Sequence, residues 1–303
     1  PNALYGSERD PLYKSKDKPL DVNGQFDLIL TNPPFSVELD NDTKKTVKKD
    51  FMFGEKKNSE NLFVERWYQL LRENGRLAAV LPESVFDTAE NKYIRLFLYK
   101  YFKIKAVVSL PQLAFEPYTS TKTSILFAQK KTRAEVEAWN DAWEETSKEW
   151  QTLKTRVENL IAVYDGLKQK AKLPSIRDLT PDDETAIIRR MLKAYITDRD
   201  DELSAGNLIQ KYRDELENLC VWDKDTQDTF GYVNTWWVFG EVAQHFPYSV
   251  LFVEAESIGY KRTKRGEKAT KNDLYRIDEY GKILVDDNNH SAVLDFIRDI
   301  QWE

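Results

Sequence analysis

The residues whose types and spacing could do chemistry form one tetrapeptide, Asn32-Pro33-Pro34-Phe35. The side-chain amide of Asn32 and the backbone carbonyl of Pro33 are two acceptors that could bind both N–H bonds of a single amine. A conjugated amine is a poor nucleophile because its lone pair is delocalised, and two such acceptors favour a more tetrahedral nitrogen as a new C–N bond forms.

The other two residues of the tetrapeptide would prepare that site. Consecutive prolines restrict the backbone, so the carbonyl of Pro33 is aimed before a ligand arrives. Phe35 offers a ring face on which an extruded base could stack. We therefore predict catalytic roles for Asn32, Pro33, Pro34 and Phe35 at a site for a flat, amine-bearing ring.

The elements around the tetrapeptide predict an α/β fold. Phe26–Thr31 is a short apolar run that predicts a buried strand, ended by the prolines. The last two of the later strands leave no room for a crossover helix, so an antiparallel, hairpin-like edge is predicted there. Alternating strands and helices indicate a mainly parallel sheet, whose strand carboxyl ends bind ligands. The other predicted strands are 76–82, 104–110 and 123–129, and the predicted helices are 61–73, closed by Gly75, and 91–102.

The middle of the chain has a helical pattern. Apolar or aromatic residues recur from Val136 at alternating steps of three and four, which is a heptad seam. The seam predicts one helix over 133–172, about 60 Å long, with further helices from Pro181 and over 203–219. It either packs on these neighbours or is left for a partner protein. Its members after Val136 are Trp139, Trp143, Trp150, Leu153, Val157, Leu160, Tyr164 and Leu167.

The composition is typical of a soluble globular protein, with 303 residues of which 41% are hydrophobic and 32% are charged. No apolar run is long enough to cross a bilayer and no export signal is present, so a cytoplasmic location is expected. The single cysteine, Cys220, excludes a disulfide within the chain. His245 and His290 have no further ligands at metal-binding spacing, so no metal site is predicted.

The charge pattern is uneven. A net charge of −6 argues against a free-standing nucleic-acid-binding protein, yet two basic stretches lie beside the motifs. Such runs are most often solvated surface, and the alternative is that they face phosphate. The second stretch is predicted to begin in a glycine-bearing loop over 259–262. The candidate phosphate-binding residues are Lys44, Lys45, Lys48, Lys49, Lys261 and Arg262.

Five stretches of the chain resemble a known family. FDLILTNPPF, at 26–35, is similar to the catalytic motif of amino-methyltransferases that use S-adenosylmethionine. The later stretches resemble, in order, motifs of the methylation subunit of type I restriction-modification systems, which are N6-adenine DNA methyltransferases. They are NLFVERWYQLLRENGRLAAVLPESVF (61–86), IRLFLYKYFKIKAVVSLP (94–111), FEPYTSTKTSILFAQKK (115–131) and FVEAESIGYKRTKRGEKATKNDLYRI (252–277).

The resemblance implies roles for individual residues. Asn32 and Pro33 would accept hydrogen bonds from the amine of a flipped adenine, and Phe35 would stack on its ring. The family places a second aromatic residue against that base at Phe115, for which Tyr118 is the competing choice. The resemblance also implies S-adenosylmethionine as methyl donor, double-stranded DNA as substrate, and a specificity subunit and a restriction subunit as partners.

It further implies a partial Rossmann-like methyltransferase sheet with a long helical, coiled-coil-like insertion or C-terminal region. The expected domains are the later part of the catalytic domain (1–131), a helical arm (132–220) and a mixed segment packing back on the catalytic part (221–303). Family members carry a glycine-rich cofactor motif before the Asn-Pro-Pro-Phe strand, whereas residues 1–25 contain no such loop. We therefore expect the cofactor-binding motif upstream of Pro1 and no methylation by the chain alone.

Two residues after the second predicted strand, Glu83 and Ser84, are candidates to line the pocket. Three alternatives to the type I assignment stay open. The same tetrapeptide serves methyltransferases of RNA bases or of a glutamine amide. A methyltransferase from another phage-defence system would share much of the sequence. The chain could instead act chiefly as an assembly module that docks a specificity subunit through the heptad seam.

Overall fold

The chain forms two compact units. The computed structural model describes residues 13–15, 18–19, 22–35, 37–48, 51–54, 59–263 and 266–302, and for 13–15, 18–19 and Thr263 the backbone alone. The sheet unit comprises Pro1–Val136 and Tyr248–Glu303, and the helical unit comprises Glu137–Pro247. Of the predicted phosphate-binding residues, Lys49 lies outside the described ranges.

The elements are numbered in chain order. The strands are β1 (Tyr13–Ser15), β2 (Lys18–Pro19), β3 (Phe26–Thr31), β4 (Leu71–Pro82), β5 (Phe102–Ser109), β6 (Thr123–Lys130), β7 (Leu251–Glu254), β8 (Ile258–Thr263), β9 (Gly266–Asn272), β10 (Arg276–Ile277) and β11 (Ile283–Leu284). The α-helices are α1 (Asn41–Val47), α2 (Ser59–Leu70), α3 (Ser84–Asp87), α4 (Lys92–Tyr101), α5 (Arg133–Tyr164), α6 (Pro181–Met191), α7 (Ala205–Lys211), α8 (Arg213–Leu219), α9 (Gln227–Phe230), α10 (Thr235–His245) and α11 (Val293–Arg298). Short 3-10 turns lie at Lys170–Lys172 and Asp198–Asp200.

Five strands form one mixed sheet in the order β3-β4-β6-β5-β7. β3 is parallel to β4 and β5 is parallel to β7, whereas β6 is antiparallel to both of its neighbours. The predicted α/β class is confirmed, whereas the sheet is mixed, with two parallel and two antiparallel pairings among its five strands. The predicted antiparallel pair is also present, but its place at the edge is wrong. β6 lies between β4 and β5, where an apolar strand satisfies both of its backbone edges.

Helices cover both faces of this sheet. Leu126 and Ala128 of β6 face a core cluster that includes side chains of α2 and α4. Ile125 and Phe127, which point the opposite way, pack against a second cluster that contains Val293 of α11. The alternation along β6 is that of a strand buried on two sides.

The boundary between α2 and β4 differs from the prediction. The helix ends at Leu70 and the strand begins at Leu71, so Gly75 lies within the strand and does not close the helix. A Cβ at Gly75 would lie 2.8 Å from the carbonyl oxygen of Arg72 and 3.0 Å from that of Phe26. The glycine is therefore required by close backbone approach where β4 meets β3.

The loop that follows the tetrapeptide is tied to the core by a buried carboxylate. Glu65 accepts the backbone N–H groups of Met52 at 2.8 Å and of Phe53 at 3.0 Å. Burial raises the pKa of Glu65, which these two hydrogen bonds oppose. The Phe53 ring in turn packs on Tyr93 and Phe97, at centroid distances of 5.0 and 5.3 Å. The chain between the tetrapeptide and α2 is thus anchored at 51–54.

The heptad seam of α5 is the core of the helical unit. Trp139, Trp150, Val157 and Leu160 are buried within it. α5 ends at Tyr164, earlier than the predicted 172, and Gly166 adopts a φ of 71° just beyond. Glycine takes this left-handed conformation readily, and it is the usual way to end a helix.

Two other helix predictions have different outcomes. The predicted start at Pro181 is confirmed, because Thr180 and Asp183 form a reciprocal capping box. The single helix predicted over 203–219 is two helices, interrupted at Tyr212, whose backbone (φ −116°, ψ 36°) is not helical.

Residues 221–247, expected with the C-terminal segment, belong to the helical unit. Trp143 Nε1 donates to the carbonyl of Phe230 at 3.0 Å. The Trp139 ring packs on Phe239 and Phe246, at centroid distances of 6.2 and 5.5 Å. These aromatic contacts join residues 221–247 to α5. In chain order the helical unit is therefore an insertion between β6 and β7. Among the helices that the structure describes, none is long and apolar enough to span a membrane.

A buried carboxylate organises the C-terminal segment and predicts a pH dependence. Asp295 accepts the backbone N–H groups of Asp286 (3.1 Å), Ser291 (3.1 Å) and Ala292 (3.0 Å) and lies 3.3 Å from the Arg276 guanidinium. These contacts, led by that of Asp286, lower the pKa of Asp295 to about 2.

Because the pKa of Asp295 is depressed, its contribution to stability is present above the unfolded value of about 4 and is lost as the pH falls towards about 2. We expect the urea midpoint to fall over this range, and to fall less in Asp295→Asn. Asp141→Asn, at an exposed carboxylate without contacts in the described chain, is the control. Identical pH profiles for wild type and Asp295→Asn would contradict the assignment.

Candidate active site

The tetrapeptide, Glu83 and the loop that carries Phe115 lie at one end of the sheet. β3, β4, β5 and β7 run in the same direction, so their carboxyl ends share that end. The tetrapeptide follows β3, the loop 110–122 leaves β5 and returns as β6, and residues 255–257 follow β7. Open α/β sheets bind ligands at this edge.

The tetrapeptide has alternating exposure. Thr31 is the last residue of β3 to pair with β4, because the prolines that follow cannot donate to the ladder. Pro33 is buried and fixes the turn, whereas Asn32 is exposed. Within the residues described, the Asn32 side chain makes no hydrogen bond. Its amide is therefore open to a ligand.

Two aromatic rings from different loops meet beside this turn. The half-buried rings of Phe35 and Phe115 are 5.4 Å apart between centroids and meet edge to face at 77°. Phe115 also packs against the core cluster that contains Leu110 and Ala114, so one ring has both a structural contact and a contact with the tetrapeptide. Tyr118, the competing choice, is 92% exposed and makes no ring contact in the described part of the chain.

The loop that carries Phe115 is braced by its own hydrogen bonds. Its two ends are joined by the N–H of Leu110, which donates to the carbonyl of Thr123 at 3.0 Å. Gln112 Nε2 donates to the carbonyl of Ser120 at 2.8 Å across the loop. The N–H of Tyr118 donates to the carbonyl of Phe115 at 2.9 Å. These bonds hold Phe115 in place before a ligand binds.

Glu83 links two strands at this end of the sheet. Its Oε2 atom accepts a hydrogen bond from Ser124 Oγ at 2.6 Å, and its N–H donates to the carbonyl of Lys122 at 2.9 Å. The backbone carbonyl of Ser84 accepts from Thr88 Oγ1 at 2.7 Å within α3. Ser124 was missed at the sequence level, although the polar run TSTKTS before an apolar strand was a signal for it.

The first group of predicted phosphate-binding lysines lies on α1. Lys44 and Lys45 are in its last turn, where the helix dipole favours cations, and Lys48 caps its end. Lys45 Nζ lies 3.3 Å from an exposed carboxylate of Asp42. These positions stabilise the helix without any bound phosphate. Phosphate binding by this group therefore stays a prediction.

The second group lies in a strand and not in the predicted loop. Residues 258–263 form β8, which pairs with β9, and this part of the prediction is wrong. Gly259 and the charged side chains disguise the strand, since such residues have low β propensity. Tyr260 Oη donates to the carbonyl of Ala114 at 2.6 Å. The hairpin is therefore fastened to the residue that precedes Phe115.

The connections at the carboxyl ends of the sheet strands do not fit a cradle for S-adenosylmethionine. A cofactor of this kind needs close backbone approach in a glycine-containing turn. The connections 32–40, 110–122 and 255–257 contain no glycine, and β4 leads into α3 through Glu83 alone.

The sequence matches a known protein family. The family described as N-6 DNA Methylase matches residues 7–211, more than half of the chain. The chain belongs to this family.

One curated relative of the chain is a methylase subunit of a type I restriction enzyme. The chain is 33% identical over 116 residues to the type I restriction enzyme EcoEI methylase subunit of Escherichia coli, covering 38% of this chain and 23% of that subunit. The chain thus spans about a quarter of the length of this curated relative.

Solved structures give similar partial matches. The EcoKI M protein, a type I restriction enzyme subunit, is 27% identical with a TM-score of 0.29, covering 36% of this chain and 21% of that one. A type I methyltransferase subunit from Streptococcus thermophilus is 24% identical with a TM-score of 0.30, covering 39% and 31%.

Proposed function

We propose that this chain supplies the target-base half of an adenine-N6 DNA methyltransferase, the methylation subunit of a type I restriction-modification system. The observation that carries the proposal is the open amide of Asn32 at the carboxyl end of β3, beside the contact between Phe35 and Phe115. S-adenosylmethionine would be the methyl donor of the whole enzyme, held by residues other than those described here.

The chemistry proposed for the chain is positioning of the base. Asn32 Oδ1 and the carbonyl oxygen of Pro33 accept the two N–H bonds of the adenine amine and stabilise the positive charge that develops on nitrogen. Phe35 stacks on the extruded ring, and Phe115 supports Phe35 through their edge-to-face contact. Tyr118 has no place in this arrangement.

The substrate proposed is double-stranded DNA, with a specificity subunit and a restriction subunit as partners. The helical unit inserted between β6 and β7 supports this over compact methyltransferases of RNA or protein. Docking through the heptad seam has less support, because Leu153 is buried and Trp143 donates to the carbonyl of Phe230 in the same unit. The specificity subunit would then bind another surface.

The test measures whether the site reads the amine of an extruded base. Since we do not expect the chain alone to methylate DNA, binding is measured in place of turnover. Labelled duplexes carry one bulged adenine or, in the matched probe, one bulged purine without the exocyclic amine. A bulged base needs no recognition sequence and costs little to extrude. We expect adenine to bind about tenfold more tightly, because unpaired acceptors penalise the probe without the amine.

Variants assign the preference to the tetrapeptide. In Asn32→Ala the preference for adenine should shrink, since one of the two acceptors of the amine is gone and the Pro33 carbonyl remains. Phe35→Ala should weaken both probes by about 1–3 kcal/mol, because stacking does not depend on the amine. Equal affinity of the unaltered chain for adenine and purine would reject the proposed function.

A further inference from the structure

Two lysines face each other across the β8–β9 hairpin. Lys261 pairs with Lys268 in its antiparallel register, and the next rung pairs Arg262 with Glu267. Side chains directly opposite in an antiparallel pair lie on the same face, about 5 Å apart at Cβ. The Arg262 and Glu267 side chains confirm this alignment, since Nη1 and Oε1 are 3.2 Å apart.

The lysine pair has no compensating charge in the described part of the chain. Like charges directly opposite destabilise a ribbon. Neither Lys261 nor Lys268 has a hydrogen bond or ion pair with another described residue, and both are exposed. The neighbouring Lys271, by contrast, is paired with Asp273 at 2.8 Å. Two adjacent ammonium groups of this kind match one anionic group with several acceptor oxygens.

The pair is held close to the proposed base site. Tyr260, adjacent in β8, is fastened to the carbonyl of Ala114, and Ser257 Oγ donates to Thr270 Oγ1 at 2.7 Å. A cleft of about 210 Å³ lies between the hairpin and the loop before Phe115. Its lining includes Lys261, Arg262 and Glu256.

We propose that Lys261 and Lys268 together bind one phosphate of the DNA strand that carries the extruded base. The inference rests on the proposed function for the identity of that strand. It also changes the pair of phosphate-binding residues predicted from sequence in this stretch. Arg262 already pairs with Glu267, so Lys268 replaces Arg262 as the partner of Lys261. One phosphate held beside the base site would fix the register of the strand against Phe35 and Phe115.

The test is the salt dependence of DNA binding by the full chain, with the bulged-adenine duplex as probe. Each phosphate contact to a duplex contributes about 0.9 to the slope of log affinity against log salt concentration. We expect Lys261→Ala/Lys268→Ala to lower the magnitude of the slope by about 0.9. The matched control, Lys224→Ala/Lys282→Ala, removes two exposed lysines elsewhere and should leave the slope unchanged.

A second variant separates loss of the site from loss of the fold. Lys268→Glu would pair with Lys261 as Glu267 pairs with Arg262, so the hairpin should be more stable while the slope falls equally. An unchanged slope in both variants, an equal change in the control, or no duplex binding by the unaltered chain would overturn the phosphate site. A reduced slope together with equal affinity for bulged adenine and purine would keep the phosphate site and reject the proposed function.

Discussion

Replacing Asn32 with alanine is expected to lower methyl transfer by about 10²–10³-fold in the methylase of which, as proposed, this chain forms the target-base half. The side chain is exposed and makes no hydrogen bond within the described residues, so its removal should leave folding unchanged. The loss should fall on the chemical step, because a preorganised acceptor acts where charge develops. Radiolabelled methyl transfer to duplex DNA under single-turnover conditions measures it.

Two comparisons make the Asn32 result specific. Asn140→Ala, at an exposed asparagine without contacts in the described chain, should transfer methyl groups at the wild-type rate. Asn32→Asp keeps an acceptor oxygen and should lose less activity than Asn32→Ala. A rate for Asn32→Ala within about threefold of wild type would exclude the side chain from the reaction. So would a loss explained entirely by weaker DNA binding.

The local part of the site could be predicted from the sequence. Phe26–Thr31 has the predicted bounds, because an apolar run followed by two prolines allows few other structures. Its predicted burial is wrong, since β3 ends the strand order of the sheet and Leu28 and Leu30 are 51% and 70% exposed. The same pattern placed Asn32 at a strand's carboxyl end. The pairing of Phe35 with Phe115 is not encoded in any local pattern. Phe115 was singled out by resemblance alone, and the contact arises from the way the loop 110–122 folds back.

The long-range part could not be predicted. The apolar run of β6 indicates a buried strand but not which strands lie beside it, so its place between β4 and β5 was missed. Val107 of β5 pairs with Phe252 of β7, although the whole helical unit separates the two residues in sequence. No local signal specifies such a partner. The sequence predicts a loop over 259–262, where the structure has β8, because glycine and lysine are depleted in strands.

The heptad seam is either the core of the helical unit or a surface for a partner protein. The effect of a Trp150 substitution on the stability of the isolated chain distinguishes the two. We expect Trp150→Ala to lower the free energy of unfolding of the helical unit by about 3–5 kcal/mol. The side chain is 1% exposed, and its Nε1 donates to the carbonyl of Leu219 at 3.0 Å, which joins α5 to the end of α8. Truncation opens a cavity and leaves that carbonyl without its donor. Urea unfolding followed by far-ultraviolet circular dichroism measures the change.

Two variants at tryptophans control for size and position. Trp150→Phe keeps most of the volume but loses the hydrogen bond, so about 1–2 kcal/mol is expected. Trp222→Ala removes a ring that is 40% exposed and should cost less than about 1 kcal/mol. If the seam were a docking surface for a partner, Trp150→Ala would leave the isolated chain as stable as wild type and weaken only association. If the seam is the core of the helical unit, Trp150→Ala must lower the stability of the isolated chain, with no partner present.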